Sequence, residues 1–198
     1  MAIDIKEVKR LKDLTGVGLT DAKAALEDSK CNFDKALEAM RKKGLTKAEK
    51  RSEREAREGI IGSYVHDNRI GVLAEVNCET DFVARNEIFT SLVKDIVLHI
   101  AASNPEYVSQ EQVPAEEKTK IEKEFRDKAI NENKPKDIID KVVAGQVAKY
   151  FEERCLVDQP FVKNPDISVG EHIKQNAARL GENIVVRRFS RLALGEIV

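Results

Sequence analysis

Tryptophan is absent from this 198-residue chain and aromatic residues make up only 5% of it, so its core must be mainly aliphatic. Net charge is equally scarce: 35 acids against 34 bases leave a formal charge of -1. No global field therefore draws the chain to nucleic acid or to acidic lipid. Cysteine is limited to Cys31, Cys78 and Cys155, far apart and odd in number, with no Cys-x-x-Cys pair and no histidine at ligand spacing. A disulfide framework or a zinc site is not expected; three free thiols in a reducing compartment are. Long apolar runs are missing too. Stretches such as Ile96-Val97-Leu98 are far too short to span a bilayer. The opening Met-Ala-Ile-Asp-Ile-Lys-Glu has acids in its first turn and no apolar segment of a signal peptide. The expected location is cytoplasmic. What the chain has in excess is charge, 35% of residues against about 25% in an average soluble domain, which predicts long solvated helix faces.

The pattern along the chain predicts an α+β protein. Residues 1–45 read as three short helices. Asp4 caps the first, with Glu7 three residues on, and Ile5, Val8 and Leu11 form its apolar stripe. Thr15-Gly16-Val17-Gly18 breaks it, and Thr20 is placed to cap the second, which carries Ala22, Ala25 and Leu26. The third presents Phe33, Ala36, Leu37 and Met40, has Arg41, Lys42 and Lys43 in its last turn, and stops at Gly44. Such a bundle buries little and is expected to present a surface. Residues 46–58 hold nine charged residues and no large apolar one, a linker compatible with helix. The core, 59–198, opens with a β-hairpin of residues 60–66 and 70–76 around Asp67-Asn68-Arg69. Phe89, Leu92, Val93, Ile96, Val97 and Ile100 then lie on one face of a helix ended by Ser103-Asn104-Pro105.

Pro114 opens a further helix with a thin stripe of Ile121, Phe125 and Ala129. After Lys134-Pro135 another carries Ile138, Ile139, Val142, Val143, Val147 and Tyr150. The two predict an antiparallel helical hairpin over 114–155. Residues 156–166 read as extended, Ser168 and Glu171 form a capping box for a helix ending at Leu180-Gly181, and residues 183–194 read as a strand.

Enzyme signatures are mostly missing. Gly16-Val17-Gly18-Leu19-Thr20-Asp21 begins like a dinucleotide fingerprint, but it follows a helix and Asp21 stands where the third glycine belongs. His66, His99 and His172 have no cysteine or aspartate at catalytic spacing and read as surface or satisfied core histidines. Acid pairs such as Glu116-Glu117 and Glu152-Glu153 read as solvated faces. No catalytic residue, metal ligand or cofactor is expected. On a regular strand Arg187, Phe189 and Arg191 share a face and Arg188 opposes them. Such a strand suits a charged sheet edge, a protein-contact face or an RNA contact, and the neutral net charge disfavours RNA.

The junction at residues 77–86, Asn-Cys-Glu-Thr-Asp-Phe-Val-Ala-Arg-Asn, leaves two structural alternatives. A helix starting at Asp81 puts Phe82 seven positions before Phe89, on the same apolar face, where it would be core. A helix starting at Asn86 leaves Phe82 in an exposed connection. Periodicity does not choose between them.

In order along the chain, several motifs together resemble bacterial elongation factor Ts. They are Val8-Lys9-Arg10-Leu11, Thr15-Gly16-Val17-Gly18, Lys23-Ala24-Ala25-Leu26, Gly62-Ser63-Tyr64-Val65-His66, Arg69-Ile70-Gly71-Val72-Leu73, Glu75-Val76-Asn77-Cys78-Glu79-Thr80-Asp81-Phe82-Val83-Ala84, Gly181-Glu182-Asn183-Ile184 and Val186-Arg187-Arg188-Phe189. The resemblance implies a ubiquitin-associated-like N-terminal module that grips the G domain of elongation factor Tu. It also implies an α+β core whose residues Thr80, Asp81, Phe82 and Val83 enter that domain, disturb its magnesium site and release GDP so that GTP can bind. The partner would be met GDP-bound and nucleotide-free, without direct nucleic-acid or membrane contact. The chain lacks the second core repeat of the longest members and its helical pair resembles that of the shorter branch, some of which are homodimers, so monomer and homodimer both stay open. An RNA-associated adaptor without exchange activity is the alternative function.

Overall fold

The computed structural model describes residues 4–15, 17–49, 51–132 and 136–196. Three N-terminal helices, α1 (Ile5–Thr15), α2 (Leu19–Asp28) and α3 (Phe33–Glu49), close around Val8, Leu11, Ala22, Ala25, Leu26, Ala36 and Met40. Asp4 caps α1 by accepting the Lys6 N–H at 2.8 Å. Ile5 does not join the stripe; it is exposed, and Thr15, whose hydroxyl donates to the Leu11 carbonyl at 2.6 Å, is buried instead. The predicted break at Gly16 lies outside the described residues. Thr20 is not the cap of α2: extended Gly18 is, without a side-chain bond, so Thr20 falls inside the first turn.

The larger correction concerns α3, which runs through Gly44 to Glu49, so the charged segment 46–58 begins as helix. Gly44 ends nothing. It lies against α8 (Val169–Leu180), where an added Cβ would sit 3.3 Å from that of Ala178. Missing bulk for helix packing, rather than a left-handed C-cap, is what this glycine supplies.

The core sheet has three antiparallel strands in the order β1-β2-β5, namely β1 (Glu58–His66), β2 (Ile70–Cys78) and β5 (Val185–Ala193). Asp67 and Asn68 both have positive φ, and Arg69 N–H returns to the His66 carbonyl at 2.9 Å. That is the type I′ turn whose twist suits a hairpin. Val72, Ala74 and Val76 face inward from the central strand onto α5 (Glu87–Ser103), whose Phe89, Leu92, Val93, Ile96, Val97 and Ile100 are all buried. Asn104, left-handed at φ 47°, ends α5 as expected.

The hairpin of α6 (Ala115–Asn131) and α7 (Lys136–Arg154) is present, with Ile121 and Ala129 buried. Its small cores are Ala129, Ile139 and Val143 towards the tip and Val113, Phe151 and Cys155 at the root. Lys134-Pro135 lies outside the described residues. At the root the Tyr107 hydroxyl donates to Glu117, and Arg154 pairs with Glu106 at 3.1 Å. Only part of 156–166 is strand: β3 (Pro160–Phe161) pairs with β4 (Asn164–Ser168), while 156–159 form a turn. Ser168 caps α8 by accepting the Glu171 N–H at 3.1 Å.

Strand β5 lies at a sheet edge, as its charges suggest, but its faces differ from those of a regular strand. Glu75 pairs with Arg188 and Val76 with Val186, so Arg187 is the extra residue of a bulge. Phe189 and Arg191 keep the inward face that Arg187 leaves.

His99 is fully buried. Its Nδ1 accepts the Val162 N–H at 3.2 Å and its Nε2 reaches Gln159 Oε1 at 2.9 Å. A backbone N–H can only donate, so the neutral ring carries its hydrogen on Nε2. Burial lowers its pKa below the ordinary 6.5. Between the two values the unfolded chain binds a proton that the folded one does not, so this contribution to stability is complete above about pH 6.5 and is lost as pH falls below it. His172, contrary to the sequence reading, does have an aspartate partner. Asp95 lies 3.2 Å away, is itself bound by Lys163 at 2.6 Å, and the imidazole stacks on Phe161.

Thermal melts of wild type should fall more steeply between pH 7.5 and 5.5, endpoints chosen about one unit either side of the His99 reference value, than melts of His99→Gln; equal slopes would contradict the burial argument. Gly62→Ala tests the sheet–helix contact, because an added Cβ would sit 2.4 Å from Val93 Cγ1. It should cost about 1–3 kcal/mol in urea unfolding, and a neutral result would show that α5 can move.

Candidate functional site

The junction after β2 contains neither one helix nor a loop. Thr80 is extended and caps a single turn, α4 (Asp81–Ala84), its Oγ1 accepting the Val83 N–H at 3.4 Å. The helix stops at Arg85. Asn86 turns back to extended backbone at φ -70° and ψ 139°, and its Oδ1 caps α5 through the Ile88 N–H at 2.8 Å. This short polar side chain gives the backbone an alternative to continuing the helix. The break removes the seven-residue register that would have put Phe82 above Phe89. Phe89 is buried, and Phe82 is 82% exposed.

The four sequence-predicted residues stand together and divide the work. Ala84 is buried beneath the turn and Val83 packs against the core, so the turn is seated. Asp81 forms an exposed ion pair with Arg85 at 3.2 Å, of a kind worth at most about 1 kcal/mol. Phe82 points away from the core on a turn held at both ends.

What holds the N-terminal end lies about a hundred residues away. α8 ends at Gly181, left-handed at φ 78°, which returns the chain towards the end of β2. There Glu182 Oε2 accepts the Glu79 N–H at 3.0 Å and the Thr80 N–H at 3.1 Å, and Oε1 accepts the Thr80 hydroxyl at 2.6 Å. The bracket is reciprocal: Glu79 Oε1 accepts the Asn183 N–H at 2.6 Å. Asn183 Nδ2 donates to the carbonyls of Ser52 at 3.1 Å and Arg54 at 2.7 Å, so the segment leading from the N-terminal helices is tied to the same point. Arg54 adds an ion pair to Glu79 at 3.5 Å. The Cys78 thiol just below is pushed up to about 11, first by burial and then by the charge of Glu182. It is a packing residue, far from the low pKa of a reactive thiol.

Sequence reasoning did not find Glu79, Glu182 or Asn183 as parts of this site. The left-handed stop at Gly181 was legible, but contacts between residues 102 positions apart leave no local signal.

A groove of about 820 Å³ beside α8 is lined by Asp158, Glu171 and Lys174 among others, and none of its lining residues is histidine or cysteine. Among the described residues no cluster of three or more His, Cys, Asp or Glu could hold a metal ion, and no helix is long and apolar enough to cross a membrane.

A family model described as elongation factor Ts matches residues 7–196. The chain belongs to the elongation factor Ts family. It is 50% identical over 196 residues to the elongation factor Ts of Thermodesulfovibrio yellowstonii, covering 99% of this chain and 98% of that protein. The namesakes from Alkaliphilus oremlandii and Geobacter sulfurreducens are 46% and 47% identical, each over 99% of this chain and 91% of their own length. The chain thus matches elongation factor Ts proteins over nearly their whole length, consistent with a short-form member, and family membership places it in the elongation stage of protein biosynthesis.

Exposure separates the two phenylalanines of the junction in a measurable way. Phe89→Ala should cost about 3–5 kcal/mol in denaturant unfolding, whereas Phe82→Ala should change stability by less than about 0.5 kcal/mol. A large loss from Phe82→Ala would mean that the ring packs in solution.

Proposed function

We propose that this member of the elongation factor Ts family is the guanine-nucleotide exchange factor of elongation factor Tu and works by binding alone. The observation that carries the reading is Phe82, an aromatic ring exposed at the tip of a seated turn in a protein of this family. The N-terminal three-helix module (1–45), joined through 46–58 to the core (59–198), grips the G domain of GDP-bound elongation factor Tu. Phe82 then enters that domain with Thr80, Asp81 and Val83 around it. Burying the ring in a partner groove contributes about 1.5–3 kcal/mol. Magnesium bridges nucleotide and protein in such GTPases, so displacing its ligands weakens GDP. Linkage requires that a factor preferring the nucleotide-free partner lowers GDP affinity by the ratio in which GDP lowers its own. Asp81 is held by Arg85 only at the surface, so it can exchange that partner for one on elongation factor Tu at little cost.

The outer face of the sheet supports a homodimer. Ile61, Val65, Leu73 and Leu192 are exposed on it, while its charged pair, Glu75 and Arg188, is closed on itself at 2.8 Å. An exposed apolar face of this kind suits a second copy of itself, packed sheet on sheet. Light scattering should give a mass near twice 22.2 kDa that Leu192→Glu halves; 22.2 kDa at every concentration would contradict the dimer.

The exchange reading is tested by release of labelled GDP from purified elongation factor Tu. Wild type should accelerate release, and Phe82→Ala should slow it at least about ten-fold, the kinetic equivalent of the lost burial. No acceleration by wild type, together with RNA binding that weakens steeply with salt, would favour the adaptor alternative.

A further inference from the structure

We propose that Glu182 is a positioning residue for Phe82, setting the direction of the ring by fixing the turn that carries it; this rests on the exchange reading above. A one-turn helix such as α4 does not hold itself. Phe82, 82% exposed, has too few neighbours to set its own direction. Its aim comes from the backbone entering the turn, and that backbone is where Glu182 acts. Both carboxylate oxygens are used: Oε2 takes two consecutive N–H groups and Oε1 takes the Thr80 hydroxyl. A hydroxyl that donates to Oε1 keeps its lone pairs free, and one of them receives the Val83 N–H. One side chain thus sets both the Thr80 rotamer and the cap of the turn. Its own place is fixed by the left-handed Gly181 before it and by the Asn183–Glu79 bond after it.

Glu182→Gln keeps the shape, and its amide oxygen can still accept the two N–H groups, but its NH2 then faces the Thr80 hydroxyl, which must turn its hydrogen away, so the charge-assisted bond that fixes the Thr80 rotamer is lost. The experiment is GDP release from elongation factor Tu across a range of factor concentrations, for E182Q, F82A, the double variant and T80V, each with a thermal melt. E182Q should lower the saturating rate about ten-fold, because a misaimed group fails at the step rather than at docking. Its half-saturating concentration should stay within about two-fold of wild type if docking rests on the rest of the surface. The double variant should be no slower than F82A, since Glu182 acts through that ring. T80V, which removes the hydroxyl that Glu182 holds, should lower the rate as E182Q does.

Full activity of E182Q would overturn the proposal. So would losses that multiply in the double variant, or loss of the fold in both E182Q and T80V, because the bracket would then serve the core and not the ring. Failure of the exchange reading is distinguishable: wild type would not accelerate release, or F82A would match wild type, whatever E182Q did.

Discussion

The carboxylate of Glu182 joins parts of the chain that nothing local would bring together. It receives the backbone leaving β2 and the hydroxyl that caps the next turn. Its neighbour Asn183 holds the strand of chain arriving from α3. A carboxylate accepting several N–H and O–H donors is among the stronger polar arrangements available to a protein. The central strand, the exposed turn and the connection to the N-terminal helices therefore share one anchor. Arg54 beside Glu79 offsets part of the repulsion that two neighbouring acids would otherwise bring.

From that anchor the geometry of the turn follows. Thr80 opens α4 and Asn86 opens α5, so two caps stand where a continuous helix needs one. Between them the chain loses its helical register, and the ring that periodicity could have placed in the core stays in solvent. Beneath it the support is rigid for a different reason. Gly62 lets α5 approach the sheet closely, and α5 is buried along its length by Val93, Ile96, Val97 and Ile100. With the backbone beneath it already ordered, an exposed aromatic has only its own rotamer freedom to lose when a partner covers it.

Much of this was legible in residues alone. The 3.6-residue stripe of α5, the Asp67-Asn68 turn and the Ser168 capping box each carry a local cause, and each is present. What was not legible depended on tertiary partners. Gly44 looks like a helix stop until α8 is placed against it. Ile5 fits an apolar stripe that the small bundle has no layer to cover. Arg187 changes face because of a bulge that only strand pairing reveals. His172 and Asp95, 77 positions apart, meet only through the packing of α5 and α8. At the site, the named residues were found by resemblance, whereas the exposure of Phe82 needed the position of Asn86 in space.

Whether the ring of residue 82 is the part that enters elongation factor Tu can be read directly. The chain has no tryptophan, so Phe82→Trp made with 5-fluorotryptophan gives a single fluorine resonance. In the free protein that resonance should show the full solvent-isotope shift of an exposed ring. On addition of GDP-bound elongation factor Tu it should move and lose that shift as GDP is released. A resonance that stays solvent-exposed while GDP leaves would contradict insertion of Phe82 and place the exchange activity elsewhere on the molecule.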